Sequence, residues 1–273
     1  MVRDMSNNSF GLLGVGDELL SGKVTESNLK YWIAELAKLG RRVTLSVTAP
    51  DDPSLLVDTI RFMLVRCDVL LLSGGIGPTH DDKTFACLAE AFGRPLRRDP
   101  SLAAAIVSCY GDRVNEALLT MADVPEGTES LYADELMVPL FRLGQVYVFP
   151  GAPVLMQRAF ACLARQISRH DLFVHVFYTA HEEGEIAALL QSVEDRFPGV
   201  AVGSYPRYDE GADYRVMVTV EARSRALLER SLKMFDDEAF RAKLLREERR
   251  RVEGPNEDLA RGSERDHSEG VKA

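Results

Sequence analysis

Apolar residues recur along the chain in two periods, and the switches between them mark the elements. Phe10–Val15 carries no charged side chain, the pattern of a strand buried on both faces. Over Ser27–Leu39 the apolar residues Leu29, Trp32, Ile33, Leu36 and Leu39 fall at helical spacing, and Gly40 follows as a stop. Arg42–Val47 alternates as a strand, Ser54–Val65 is helical, and Asp68–Ser73 is a third, apolar strand. Thr84–Phe92 reads as a third helix, closed by Gly93 and Pro95. This β-α-β-α-β-α order predicts a mostly parallel sheet covered by helices.

The pattern then shortens. Ser101–Tyr110 and Asn115–Ala122 read as helical, Glu129–Ala133, Met137–Phe141 and Gln145–Phe149 as strands, and Val154–Ser168 as a helix. Near Asp171 a second rhythm begins. A strand over Phe173–Tyr178, an amphipathic helix over Glu182–Phe197, strands over Val200–Tyr205 and Tyr214–Val220, and a helix over Arg223–Phe235 give β-α-β-β-α. The expected organisation is a three-layer α/β/α domain over 8–170, a small α+β subdomain over 171–245 and a charged tail over 246–273. Within that tail Arg246–Arg251 reads as a continued helix and the remainder as disordered, because no apolar spacing anchors it.

Composition narrows the class. The 273 residues carry a net charge of −9, which argues against phosphate-backbone binding of nucleic acid over a broad surface. A small phosphorylated ligand is not excluded, since backbone N–H groups and a metal can hold it. Apolar runs fall short of the ~18 residues a membrane helix needs, and Met1–Asn8 has no signal-like apolar segment, so the cytoplasm is the expected compartment with no membrane partner. Cys67, Cys87, Cys109 and Cys162 form no Cys-x-x-Cys pair and read as reduced thiols rather than a zinc site.

The candidate chemistry sits where predicted strands end. Gly16-Asp17-Glu18, Ser21–Asn28, Gly74–Asp82 and Pro150–Pro153 each end or follow a predicted strand, and in a parallel sheet those ends share one edge. Gly74, Gly75 and Gly77 let backbone N–H groups approach a phosphate, with the Thr79 and Ser73 hydroxyls as further donors. Asp81 and Asp82, with Asp17 and Glu18, are candidate ligands for a hard divalent cation; Asp81-Asp82 equally suits the cap of the helix at Thr84. His80 is a candidate general acid or base, or a solvent-facing histidine. Lys23 and Lys83 are the cationic candidates beside the turns, Lys83 the better read as a surface lysine, and Trp32 reads as core.

These residues resemble the MoaB/Mog-type molybdopterin-binding domain, above all the branch at the N-terminus of CinA proteins and eukaryotic FAD synthases. The resemblance is carried by Gly16-Asp17-Glu18-Leu19-Leu20-Ser21-Gly22, Ser27-Asn28, Pro50-Asp51-Asp52, the run Gly74-Gly75-Ile76-Gly77-Pro78-Thr79-His80-Asp81-Asp82-Lys83-Thr84, and Phe149-Pro150-Gly151-Ala152-Pro153. The region after it, including Gly203-Ser204-Tyr205-Pro206, is similar to the segment C-terminal to this domain in the FAD synthases. The resemblance implies a three-layer fold and a phosphorylated ligand such as molybdopterin, FAD or ADP-ribose. It singles out Asp82 as essential, with Asp81 and His80 beside it, and adds Ser21, Asn28, Gly151 and Pro153 to the phosphate-binding set. Where the family usually has an aspartate before Thr-Asn, this chain has Glu26 before Ser27-Asn28, a carboxylate on a longer arm.

The function expected from this is a pyrophosphatase dependent on Mg, Mn or Co and acting on FAD or ADP-ribose. The alternatives are molybdopterin binding or adenylylation in molybdenum-cofactor biosynthesis, or a non-catalytic nucleotide or pterin module. A homo-oligomer fits the family. The adenylyltransferase half of FAD synthases and the nucleotide-amidase unit of CinA have no counterpart in the sequence, so FAD synthesis by this chain alone is not expected.

Overall fold

The computed structural model describes residues 9–209 and 211–252, and divides into two compact units, one ending at Ser168 and the other made of the chain from Arg169 together with Lys38–Gly40. The first is built in chain order from β1 (Phe10–Val15), α1 (Asp17–Leu20), α2 (Asn28–Lys38), β2 (Val43–Ala49), α3 (Pro53–Leu64), β3 (Val69–Ser73), α4 (Thr84–Phe92), β4 (Leu96–Arg98), α5 (Pro100–Tyr110), α6 (Glu116–Leu119), β5 (Asp123–Pro125), β6 (Glu129–Leu131), β7 (Leu140–Leu143), β8 (Val146–Phe149) and α7 (Pro153–Ala164).

Six strands form one sheet in the order β2-β1-β3-β8-β7-β6. β1 pairs in parallel with β2 and β3, and β3 in parallel with β8, whereas β7 and β6 run antiparallel at the edge. Successive strand residues face opposite sides, and both sides are covered. Leu13, Leu70, Leu72, Val146 and Val148 share a core cluster with Leu56 and Ile60 of α3 and Phe85 and Leu88 of α4. On the opposite face the Trp32 ring of α2 lies edge-on to Phe149 of β8, 4.9 Å between centroids, and 6.5 Å from Phe160 of α7. Three layers result, and Trp32 is core, as its place on the apolar stripe of α2 requires.

Three features of this unit depart from the local pattern. Asp17–Leu20, just after β1, closes into the short helix α1, which places Asp17 and Glu18 in its first turn. β4 and β5 pair antiparallel into a separate ladder that brackets α5 and α6, and β7 starts at Leu140 rather than Met137, leaving Met137 in a loop.

The second unit comprises β9 (Leu172–Thr179), α8 (Glu183–Arg196), β10 (Val200–Pro206), β11 (Val216–Ala222), α9 (Arg225–Leu232), α10 (Glu238–Ala242) and β12 (Leu244–Val252). Its sheet is antiparallel, ordered β10-β11-β9-β12, over a core in which Phe177 stacks on Phe235 at 4.7 Å and meets Phe240 edge-on at 5.4 Å. Here one expectation fails. Arg246–Arg251 neither continues a helix nor opens a tail: it belongs to β12, paired antiparallel with β9 from Thr179 back to Leu172. The long edge of β9 offers this segment backbone partners, and tertiary pairing overrides the helical preference of Arg and Glu. The expected disorder beyond Val252 falls outside the described residues.

Of the four free cysteines, Cys67, Cys87 and Cys162 are buried and Cys109 is exposed on α5. Burial pushes the Cys67 and Cys87 thiols up to about 11, which keeps them protonated and inert. Among the described residues no helix is long and apolar enough to cross a membrane.

Candidate functional site

Because β1, β2, β3 and β8 run parallel, the turns that leave them emerge on one edge of the sheet. They enclose a cleft of about 580 Å³, lined on this side by Gly16, Glu18, Glu26, Asn28, Asp51, the turn Gly74–Gly77, Asp81, Asp82, Gly151 and Pro153.

The glycines of the β3 turn are there for space. Gly74, at φ 107°, leaves no room for a side chain, since a Cβ would lie 2.3 Å from the Val15 carbonyl oxygen. Gly75, at φ 65°, would drive a Cβ to 2.4 Å from Thr84 Oγ1. The turn is held in place by Thr84, fully buried at the start of α4, whose hydroxyl donates to the Gly74 carbonyl at 2.8 Å and whose N–H donates to Gly75 at 2.9 Å.

A buried hydrogen-bond chain locks the neighbouring turns together. Asn28 Nδ2 donates to Ser73 Oγ at 2.9 Å and to the Gly151 carbonyl at 2.8 Å, and Ser73 Oγ donates to the Pro150 carbonyl at 3.1 Å. One side chain thus joins α2 to the ends of β3 and β8. Asn28 Oδ1 is buried with no hydrogen-bond partner, an acceptor left over on a cleft-lining residue.

The carboxylates of the cleft include Asp82 beside Gly77. Asp82 Oδ2 accepts from Thr79 N–H at 2.9 Å and Thr79 Oγ1 at 2.5 Å, which fixes its rotamer. The Thr79 hydroxyl also draws the Asp81 carboxyl below the usual range, with its own N–H, His80 and Lys83 adding to the effect. Asp51 moves the other way. Burial raises it most, the Asp17 N–H lowers it, and the negative charges of Asp17, Glu18 and Asp81 raise it further. Two acids of one cleft are therefore displaced in opposite directions.

Of the residues expected at the site, Gly74, Gly75, Gly77, Asn28, Gly151, Pro153, Glu18, Asp81 and Asp82 line the cleft, and four others do not. His80 points to solvent with its side chain 97% exposed, Nδ1 3.9 Å from Asp81. Thr79 is exposed and acts on the cleft through Asp82. Ser21 donates weakly to the Glu18 carbonyl at 3.4 Å. Asp17 braces the rim, its N–H donating to Asp51 Oδ2 at 2.9 Å and its Oδ1 accepting from Asp51 N–H at 3.3 Å. Glu26 lines the cleft while capping α2 through Leu29 N–H at 2.8 Å.

Asp51 is a site residue that the sequence pattern alone does not single out. The signal is present: Pro50-Asp51-Asp52 follows β2, another parallel strand end, but its second aspartate has the look of a helix cap. Asp52 does cap α3, accepting from Leu55 N–H at 2.8 Å, which leaves Asp51 for the cleft. Among the described residues no group of three or more His, Cys, Asp or Glu is gathered closely enough to hold a metal ion by itself.

The family model described as "Probable molybdopterin binding domain" matches residues 11–170, the part of the chain that contains every cleft residue. The chain belongs to the molybdopterin-binding domain family. A second model, "FAD synthase, middle domain", matches residues 171–247 of this molybdopterin-binding-domain protein, its second unit. A protein of Archaeoglobus fulgidus is 30% identical over 84% of this chain and 96% of its own length. A CinA-like protein of Frankia casuarinae is 33% identical over 79% of this chain, which spans 54% of that relative. The crystal structure of CinA from Thermoplasma acidophilum, described as of unknown function, superposes with a TM-score of 0.54 at 26% identity, covering 57% of this chain and 96% of that one.

Proposed function

We propose that the cleft binds the phosphate or pyrophosphate of a nucleotide or pterin and that the chain hydrolyses a dinucleotide pyrophosphate of the FAD or ADP-ribose type with the help of Mg, Mn or Co. The observation that carries this reading is the meeting of a side-chain-free glycine turn and a row of acids in one cleft on the parallel-strand edge. Backbone N–H groups can approach phosphate oxygens at such a turn, and carboxylates on their own repel a phosphate unless a cation stands between them.

The acids present fit a cation shared with a ligand. Mg²⁺ commonly takes one or two carboxylates and completes its shell with phosphate oxygens and water. The cleft has such acids in Asp82 and Asp81, with Glu18 also on its wall, and among the described residues lacks the larger cluster that an all-protein site would need. When bound there, the metal supplies charge neutralisation and polarisation of phosphorus.

The chain's own residues do the rest. Gly74–Gly77 seats the phosphate, and the Asn28 chain keeps that turn in register with Gly151. Thr79 holds Asp82 at one orientation, so the rotamer entropy of this carboxylate is lost on folding rather than on binding. Asp51, whose carboxyl is pushed upward by burial and by the neighbouring acids, is the candidate to accept a proton from an attacking water.

The test is AMP release from FAD and from ADP-ribose with each cation, in the parent and in Asp82→Asn. Release that vanishes in the variant is expected; no release with either substrate and any of the cations would overturn hydrolysis. A second reading is favoured by the family model over the cleft, namely molybdopterin binding or adenylylation. Molybdopterin with ATP in the same assay separates the two.

A further inference from the structure

The glycine turn and its acids account for a phosphate but for only part of the cleft. The remaining wall comes from outside the sheet. Tyr110 is the last residue of α5, Met121 lies in the single turn Thr120–Ala122 after α6, and Met137 and Val138 lie in the loop before β7. Met137 is 75% exposed, a large apolar side chain standing in solvent at the mouth of a polar site. Tyr110, Met121 and Val138 are half-buried, and an apolar side chain left exposed at a cleft marks a surface that a ligand can cover.

The segments that carry this wall are braced elsewhere. Arg98 spans the β4–β5 ladder to Asp123 at 2.8 Å and reaches Glu116 at 2.7 Å. Glu135 pairs with Arg165 at 3.0 Å, and Gln166 donates to the Tyr132 hydroxyl, which together anchor the loop to α7 and its C-terminal end. The wall is therefore positioned without help from a ligand. A tyrosine ring and two polarisable thioethers suit a flat heteroaromatic ring, and the thioethers have no proton to donate to a phosphate. The cleft's volume of about 580 Å³ also exceeds what a pyrophosphate fills.

We infer that Tyr110, Met121 and Met137 form the ring-binding wall of the cleft, packing against the planar ring of a nucleotide or pterin whose phosphate lies on the Gly74–Gly77 turn. The inference rests on the phosphate reading of that turn and assigns the ligand's ring its place in the cleft. Inorganic pyrophosphate and sugar phosphates would fill only the glycine side.

Methyl NMR on the full chain, with all eight methionines labelled at the methyl carbon, reads this contact directly. Met121→Leu and Met137→Leu assign the two signals. Millimolar AMP and FAD, each added with Mg²⁺, are expected to move both upfield by ring current. Inorganic pyrophosphate should leave them in place, and Met63, fully buried in the core, should not respond to any of the three. The double variant Tyr110→Ala/Met137→Ser should weaken AMP binding up to about tenfold and spare pyrophosphate. Methyls that ignore both AMP and FAD, or a variant that weakens AMP and pyrophosphate alike, would overturn the ring wall. AMP release from FAD with unmoved methyls sinks this inference and keeps the hydrolase; moved methyls without turnover do the reverse.

Discussion

Two glycines two residues apart in the β3 turn should fail in different ways. At Gly75 the left-handed backbone (φ 65°) and the 2.4 Å approach to Thr84 Oγ1 act together, so Gly75→Ala loses fold stability. A strained residue of this kind costs on the order of 1–3 kcal/mol, visible as a lower melting temperature. Gly77 has no such backbone strain. Its added methyl would sit 2.7 Å from Asp82 Oδ2, so Gly77→Ala should melt close to the parent while displacing the carboxylate to which the proposed binding is assigned. Loss of ligand affinity with stability retained is the expected result; equal melting losses in both variants would refute the distinction. Asp51 makes the opposite trade. Its folded-state carboxyl is raised above the unfolded value of 3.8, so its contribution to stability is complete below that value and is lost as pH rises through the raised one. Asp51→Asn should therefore raise the melting temperature at pH 7, leave it unchanged at pH 3, and slow any turnover.

At the scale of elements, Thr84 ties α4 to the end of β3. Thr84→Val keeps the shape but leaves the Gly74 carbonyl without its 2.8 Å donor, a buried loss of about 1–3 kcal/mol. Thr84→Ser should recover most of that, and a Val variant as stable as the parent would show the bond to be idle. The elements legible in the sequence are those whose signal is local. β1 and β3 read as apolar runs, α2 as a stripe ending at a glycine, and the β3 turn as three glycines in four residues; each pattern is set by which side of the element is covered. Those that are not legible depend on partners distant in sequence. β12 is highly charged, so nothing local distinguishes it from helix or tail; its strand state comes from the edge of β9. The β4–β5 ladder joins residues more than twenty positions apart. Asp51 needs the strand order, since only the parallel pairing of β2 with β1 brings its loop to the cleft. His80 shows the converse: motif position puts it among the catalytic candidates, and the side chain turns to solvent.

For the molecule as a whole, two units with separate cores predict two unfolding events, and acid should separate them. His175 of β9 is 2% exposed, against Phe177 at 4.4 Å, with Nε2 3.0 Å from Glu247 Oε2. Burial pulls its pKa below 6.5, the Glu247 carboxylate opposes that, and Arg249 and Arg241 reinforce it. The folded state thus holds a neutral ring where the unfolded chain would take up a proton. By linkage, the stability this ring contributes is whole above the unfolded value of 6.5 and is lost as pH falls from there toward the depressed folded value. The first unit contains the chain's single tryptophan, Trp32, fully buried between α2 and the sheet. Its fluorescence therefore reports that unit, while far-ultraviolet circular dichroism reports both. Between pH 7 and pH 5 the expected outcome is a dichroism transition that moves to lower temperature ahead of the tryptophan transition. His175→Asn removes the titration, so it should flatten the acid limb of the second unit's curve even if its melting temperature at pH 7 is lower. Coincident transitions at every pH would show that the units unfold as one. A His175→Asn curve as steep in acid as the parent's would assign the proton uptake to another group.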